Sequence, residues 1–457
     1  MRVAWFSPVP PVKSGIAGRT AELVERLRAR GHEIDVFVDQ PVVRSARGVR
    51  SAHDFPWAQT QAPYDLNVYQ FGNSSHHDYE WPYAFRYPGL VVLHDTHLHH
   101  ARAESLLREL RTADYRTEFA FDAPGASADL AELAVNGCNS DLYYRWPLVR
   151  TLVSTARLVV AHGEGAAEEL RSHFADAPLL AAQISSITLG EGEPISTDRA
   201  DAARRAIRLR QGLPADAVIF GVFGGIAPEK RIDQILEAFE AVLPSVPSAR
   251  LLLAGATASH YDLAAVLAGR AAADRIVLPG YLPTEQALTD HIAACDVTLN
   301  LRWPTARETS GPWLRALAAG RPTVVTDLIH QRRTPSIDPR TWQPNQAEAP
   351  VCVAIDILDE DHSLRLAMRR LGTDAAFREV LGRAAAAWWA REHTVEHMAD
   401  DYERVMAEAR QRSAPDVAVP VHVRGSHEET LRAIASRFGR DVRERAGHCI
   451  DFADDGL

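Results

Sequence analysis

The sequence predicts an α/β protein made of two doubly wound, parallel-sheet domains. Three observations carry this reading. Short apolar runs alternate with longer amphipathic stretches, the rhythm of strand–helix–strand units. That rhythm is interrupted by a polar, Arg- and Asp-rich stretch at residues 195–214 and then restarts. A length of 457 residues also suits two domains better than one.

In the first half the apolar runs are Val3–Phe6, Ile34–Val38, Leu66–Gln70, Leu90–Leu93, Leu158–Ala161 and Ile187–Leu189. Runs apolar on both faces suit strands covered by helices on both sides. Between Ser14 and Gly31 a helix is expected, with Leu23, Val24 and Leu27 on one face and Gly31 closing it. Second-half strands are expected at Val218–Phe223, Leu251–Ala254, Ile276–Leu278, Val297–Leu299, Thr323–Thr326 and Cys352–Ile355. After Lys230, a helix sets Ile232, Ile235, Leu236, Phe239 and Leu243 on one stripe with a 3.6 period. The expected division is 1–195, a linker at 196–213, 214–394, a C-terminal helix at 395–412 and an extension at 413–457. Within that extension residues 413–426, with Pro415, Pro420 and Gly425, look like a linker, and Leu431, Ile434 and Phe438 suggest a short amphipathic helix.

Composition narrows the function classes. Hydrophobic residues make up 46% and charged residues 24%, as in a globular protein with a large core. The formal charge of −10 leaves no basic surplus for neutralising a nucleic-acid backbone. Cys138, Cys295, Cys352 and Cys449 are far apart and form no CxxC pair, which suits a reducing compartment. The start of the chain shows no signal-peptide pattern, and no stretch approaches the ~18 apolar residues that span a bilayer. A cytoplasmic location is expected, with peripheral contact at the inner membrane face left open.

Only two lysines, Lys13 and Lys230, occur among 50 basic residues. Both fall in glycine-containing loops between an apolar run and an amphipathic helix. A compact ammonium kept in an arginine-rich chain suits binding a phosphate as a point charge. Around Lys230 the loop reads Phe223-Gly224-Gly225-Ile226-Ala227-Pro228-Glu229-Lys230. Paired glycines let backbone amides approach an anion, and the following helix N-terminus, Lys230 and Arg231 add positive charge. The pattern is neither GxGxxG nor GxxxxGK[ST], so neither a dinucleotide fold nor a Walker loop is indicated. A plain turn with a solvated lysine is the alternative.

A second anchor runs from Asn300 to Pro322. There a polar loop holding Arg302 and Glu308 leads into a helix starting near Pro312, with Gly320 at its end. Ser310 and Gly311 fall at that helix N-terminus, where amides can meet hydroxyls or phosphate. Glu308 in the same loop can accept bonds from sugar hydroxyls.

Together these segments resemble the retaining GT-B glycosyltransferases of family GT4 (glycosyltransferase group 1). The resemblance rests on the Gly-Gly-x-x-Pro-Glu-Lys loop and on the Glu308 loop leading to Ala-Leu-Ala-Ala-Gly-Arg-Pro. Ser14-Gly15, the segment Gly31-His32-Glu33-Ile34-Asp35-Val36, His94 at a strand end, His162-Gly163-Glu164 and Leu189-Gly190 add to it. It covers roughly residues 1–410. It implies a GT-B type fold of two Rossmann-like domains facing an interdomain cleft, acceptor side first and donor side second. It also implies transfer of a hexosyl group from a nucleoside-diphosphate sugar to a hydroxyl with anomeric retention, in carbohydrate or glycan biosynthesis.

Residue by residue, the family roles put Lys230, Arg231 and the amides of Gly224 and Gly225 on the diphosphate. Glu308 would contact the sugar with support from Ser310 and Gly311. His94 would lie beside sugar and leaving group, and Gly15 would bring the first loop up to the donor. Two positions depart from the pattern. The family often has Arg five residues before the loop lysine, where this chain has Gly225. A second Glu, the family's ribose ligand, is expected eight residues after Glu308, where this chain has Ala316 next to Arg315. Arg231 and Arg302 are candidates for the missing positive charge, and the base is expected around Gly280-Tyr281-Leu282.

Charge develops on the departing diphosphate, which these cations address, so neither metal nor cofactor is expected. His94, His97, His99 and His100, with His76 and His77 upstream, match no standard metal spacing. Arg102, Arg108, Arg111 and Arg116, on a helix expected over Ala101–Phe121, suggest a solvated face or a site for an acidic or lipid-linked acceptor. The expected partners are a nucleoside-diphosphate sugar and a glycan, lipid-linked or small-molecule acceptor. The competing reading is a degenerate, non-catalytic GT-B protein that binds a nucleotide sugar or serves as a partner subunit.

Overall fold

The computed structural model describes residues 1–41, 48–138 and 141–424. The helix expected at Leu431, Ile434 and Phe438 lies outside them, as does Cys449. Two compact units result. One holds residues 1–161, 170–185 and the described residues from Glu403; the other holds 162–169 and 186–402.

The first unit carries a seven-stranded sheet of β1 (Arg2–Phe6), β2 (Glu33–Val38), β3 (Val49–Ser51), β4 (Leu66–Phe71), β5 (Leu90–Leu93), β6 (Leu158–His162) and β7 (Ile184–Ile187). The spatial order is β3-β2-β1-β4-β5-β6-β7, and each pairing from β3 through β6 is parallel. The order reverses between β1 and β4, which opens a crevice beyond their carboxyl ends. The helix Gly15–Ala29 follows β1. Ser14 caps it by accepting a hydrogen bond from Ala17 N at 3.0 Å, and Ala17, Thr20, Leu23, Val24 and Leu27 are buried. Gly31, at φ +92°, ends it as expected.

The second unit repeats the plan with β8 (Ile219–Phe223), β9 (Arg250–Ala254), β10 (Ile276–Val277), β11 (Val297–Asn300), β12 (Thr323–Thr326), β13 (Ser336–Ile337) and β14 (Cys352–Ile355). The order is β10-β9-β8-β11-β12-β14-β13, all parallel. Here the reversal falls between β8 and β11. The helix Ile232–Val242 buries Ile232, Ile235, Leu236, Ala238, Phe239 and Val242 against the core of this sheet.

Three expectations change. Residues 196–213, read as a linker for their polarity, contain the helix Thr197–Arg210 capped by Ser196. Its arginines are tethers: Arg204 and Arg208 both pair with Asp296, at 2.7 and 2.8 Å. The helix expected over Ala101–Phe121 is two, His99–Arg108 and Thr112–Asp122, parted at Leu110, whose φ is +59°. The extension is not all linker, because Val421–Arg424 forms a helical turn on the first unit. There His422 Nε2 lies 2.8 Å from Glu118 Oε1. Among the described residues no helix is long and apolar enough to cross a membrane.

Candidate functional site

The two loops singled out in the second half leave the carboxyl ends of β8 and β11, the strands flanking the reversal in sheet order. Chain geometry therefore brings together Lys230 and Glu308, 78 positions apart in sequence. A main-chain hydrogen bond from Trp303 N to Glu229 O, 2.8 Å, ties one loop to the other.

Lys230 is only 6% exposed, and its Nζ donates to Phe223 O at 2.7 Å. Burial pushes the ammonium pKa down to about 7; the nearby Arg302 lowers it further and Glu308 partly restores it. Gly224 wraps over this side chain at φ +94°. A methyl group there would lie 3.2 Å from Lys230 Nζ and 3.6 Å from Pro312 Cγ. The glycine is thus needed both for its backbone angle and for the space. Gly255 at the end of β9 supports the loop from behind, since a Cβ there would fall 1.8 Å from Gly224 O. Gly225 is exposed with nothing within 4 Å of its would-be Cβ.

Glu308 is held by Arg302 Nε at 2.6 Å and by the Thr305 hydroxyl at 2.9 Å. Its carbonyl oxygen lies 3.2 Å from Nε2 of the buried His330. Ser310 caps the helix Gly311–Ala318, its hydroxyl accepting from Trp313 N at 3.4 Å. Gly311 is the first helical residue and Pro312 the second, so the helix start faces Gly224 and Lys230. The structure thus sets Lys230 close to Gly224 and Glu308, and Pro312, next to Ser310 and Gly311 in sequence, beside Gly224.

Arg231 is not part of this group. Its guanidinium grips Glu360 with Nε at 2.9 and 3.1 Å from the two carboxylate oxygens. The cause is local: Arg231 adopts a left-handed backbone, φ +58°, at the start of the helix Ile232–Val242. Arg302 is the cation next to Lys230 instead. Sequence order alone favoured Arg231, and the signal for Arg302 was its place in the Glu308 loop.

At the position of the second Glu, Ala316 is fully buried. Its neighbour Arg315 pairs with Glu191, Nε to Oε1 at 2.6 Å, and with Glu285. Neither glutamate was singled out from the sequence.

In the first unit, Gly15 opens the helix after β1, exposed and unobstructed. The loop after β4 passes close by, since a Cβ on Gly72 would meet Ile16 Cδ1 at 2.4 Å. His94 follows β5, half-buried, with Nε2 2.7 Å from Gln70 Oε1 on β4. Asn73 joins the loops after β4 and β5: its N–H donates to Asp95 at 2.8 Å and its Oδ1 accepts from Ala101 N at 2.9 Å. Lys13 is exposed, so only Lys230 of the two lysines is in an enclosed setting.

The histidine run is dispersed by the fold. His99 contacts Trp146 O and the Tyr115 hydroxyl, whereas His77 pairs with Glu80 in the interior. Among the described residues no three His, Cys, Asp or Glu side chains converge as metal ligands would. The basic stripe is also dispersed: Arg102 pairs with Glu118, Arg108 with Asp78, Arg111 with Asp114 and Arg116 with Glu132. Of these, Arg102 is buried, while Arg108, Arg111 and Arg116 stay exposed beside their carboxylates.

Comparison with known proteins places these features. Residues 217–339 match the family model described as group 1 glycosyl transferases, a span that contains both second-unit loops. A search of curated proteins gives no match. Among solved structures, the sucrose-phosphate synthase from Thermosynechococcus elongatus superposes with a TM-score of 0.60 at 15% identity, over 89% of this chain and 98% of that one. HepE from Anabaena, in complex with UDP and glucose, gives 0.60 at 14% identity, over 89% and 99%. The catalytic domain of starch synthase IV from Arabidopsis thaliana, bound to ADP and acarbose, gives 0.60 at 12% identity, over 90% and 99%. The chain therefore resembles the GT-B glycosyltransferases, with their Rossmann-like fold in both units and the group 1 glycosyl transferase model over residues 217–339.

Proposed function

We propose that this protein transfers a hexosyl group from a nucleoside-diphosphate sugar to a hydroxyl acceptor, with retention at the anomeric carbon. One observation carries the reading. A buried ammonium, Lys230, sits under a glycine loop at the point of reversed sheet order, beside a helix N-terminus, with one protein acceptor at hydrogen-bonding distance. An under-solvated cation in such a place is stabilised by an arriving anion. The amides of Gly224, Gly225 and Gly311 and the Ser310 hydroxyl supply hydrogen-bonding groups for a diphosphate.

As the sugar–oxygen bond breaks, negative charge grows on the diphosphate, and Lys230 and Arg302 are already in place to stabilise it. The reading needs no metal because these two cations supply the charge. Glu308, with one carboxylate oxygen on Arg302 and the other on Thr305, is assigned to the sugar. In the first unit, His94 and Gly15 are retained as proposed donor contacts.

Ala316 and the engaged Arg315 favour a second reading, a protein that binds nucleotide sugar without turnover. Measuring the thermal shift with GDP, UDP and ADP, with and without EDTA, on wild type and Lys230→Ala, followed by release of nucleoside diphosphate from the matching sugar donor, separates the two. Stabilisation of wild type only, untouched by EDTA and accompanied by release, supports transfer. Stabilisation without release supports the binding protein, and no shift with any nucleotide rejects both.

A further inference from the structure

β4 is buried along its entire length, yet its fifth residue is Gln70, 1% exposed. An amide in the middle of an apolar sheet costs several kcal/mol unless its polar atoms are used. Gln70 Oε1 meets His94 Nε2 at 2.7 Å, across adjacent parallel strands whose register pairs Gln70 with Val92. The His94 backbone is held as well, its N–H donating to Phe71 O at 2.8 Å.

We propose that Gln70 is a positioning residue for His94. An amide oxygen only accepts, so the hydrogen bond commits the imidazole proton to Nε2 and leaves Nδ1 as the acceptor nitrogen. A buried side chain between two strands is a rigid support for that choice. Of the titratable groups nearby, Asp95 accepts from Asn73 N, and His77 and Glu80 are paired at 2.9 Å in the interior. A residue at this place determines which ring nitrogen faces chemistry without touching substrate itself. The inference rests on His94 acting in the proposed transfer, while its structural half stands without it.

The test uses nitrogen-15 imidazole correlation spectra of the full-length protein without ligand, with the His94 signals assigned by their loss in His94→Gln. Wild type should show the Nε2–H tautomer. In Gln70→Leu that preference should be lost, and in Gln70→Glu the ring should titrate about one pH unit or more higher, because an amide becomes a carboxylate. Turnover should fall about tenfold or more in Gln70→Leu through kcat, with the donor KM little changed. A wild-type Nδ1–H tautomer, or an unchanged ring in both variants, overturns the assignment. A changed ring with undiminished turnover overturns the positioning role. Full turnover in His94→Gln would instead reject the reading of His94, a separate failure. If Gln70→Leu does not fold, wild type and Gln70→Glu still decide the tautomer.

Discussion

On the proposed reading, Lys230 should make donor binding a proton-linked event. Burial brings its pKa to about 7 from 10.5, so at pH 8 roughly nine-tenths of the molecules hold a neutral amine there. A pyrophosphate beside Nζ favours the ammonium, and binding must then draw a proton from solution. The expected uptake is about 0.9 proton per donor at pH 8 and about 0.1 at pH 6. Affinity should weaken almost tenfold per pH unit above 7, close to 1.4 kcal/mol per unit, until the pKa of the complex is reached. Titration calorimetry in two buffers of different ionisation enthalpy reads the uptake directly. A nucleoside-diphosphate sugar is the right ligand, since its pyrophosphate does not titrate near neutrality. Lys230→Met should lose both the uptake and the pH slope. Tight binding at pH 8 without proton uptake, or the same slope in Lys230→Met, would refute the placement of the diphosphate on this lysine.

The same shift has a stability sign. Because the folded pKa lies below the unfolded one, the unfolded chain holds an extra proton between pH 7 and 10.5, so Lys230 penalises folding fully below pH 7 and progressively less above it. Lys230→Met should therefore raise stability at pH 6, by as much as ~5 kcal/mol, and change it little near pH 10, as urea melts at the two pH values would show. Gly224→Ala should cost about 1–2 kcal/mol for its left-handed backbone and weaken donor binding by crowding Lys230, visible in paired melting and binding curves. Glu118→Leu should cost about 3–5 kcal/mol, because Arg102, 4% exposed, is left charged without its partner. Although burial opposes it, Arg102 and His422 hold the Glu118 carboxyl near 2; its contribution, about 3 kcal/mol, is complete above the ordinary range near 4.5 and disappears as pH falls from there toward 2. Acid unfolding of wild type against Glu118→Gln checks that window.

Much of the sheet was legible because parallel strands buried on both faces are spelled as unbroken apolar runs. Leu90–Leu93, Thr323–Thr326 and Cys352–Ile355 match their runs residue for residue. The edge strands β3 and β13 escaped notice, being short and partly polar or tucked among turns. Residues 196–213 misled because a surface helix tethered by arginine looks like a solvated linker. In the site, glycines and caps marked the loops, and hence Lys230, Glu308 and Ser310. Side-chain direction was not legible. One left-handed residue turns Arg231 to Glu360, and nothing in a linear pattern announces that angle. Gln70 was hidden for a different reason, since its partner His94 lies just past the end of the neighbouring strand.

The bond between Trp303 N and Glu229 O joins the two loops through main-chain atoms. No amino-acid replacement at either position deletes those atoms, except proline in place of Trp303, which lacks the N–H. The spacing between the loops is therefore inherited with the backbone, while the side chains around it remain at liberty to drift. A lineage can then trade one cation for another, or drop a carboxylate, without having to rebuild the frame that holds the rest. That separation lets the frame tolerate wide change in its side chains, in keeping with the solved structures that superpose on this chain at 12–15% identity.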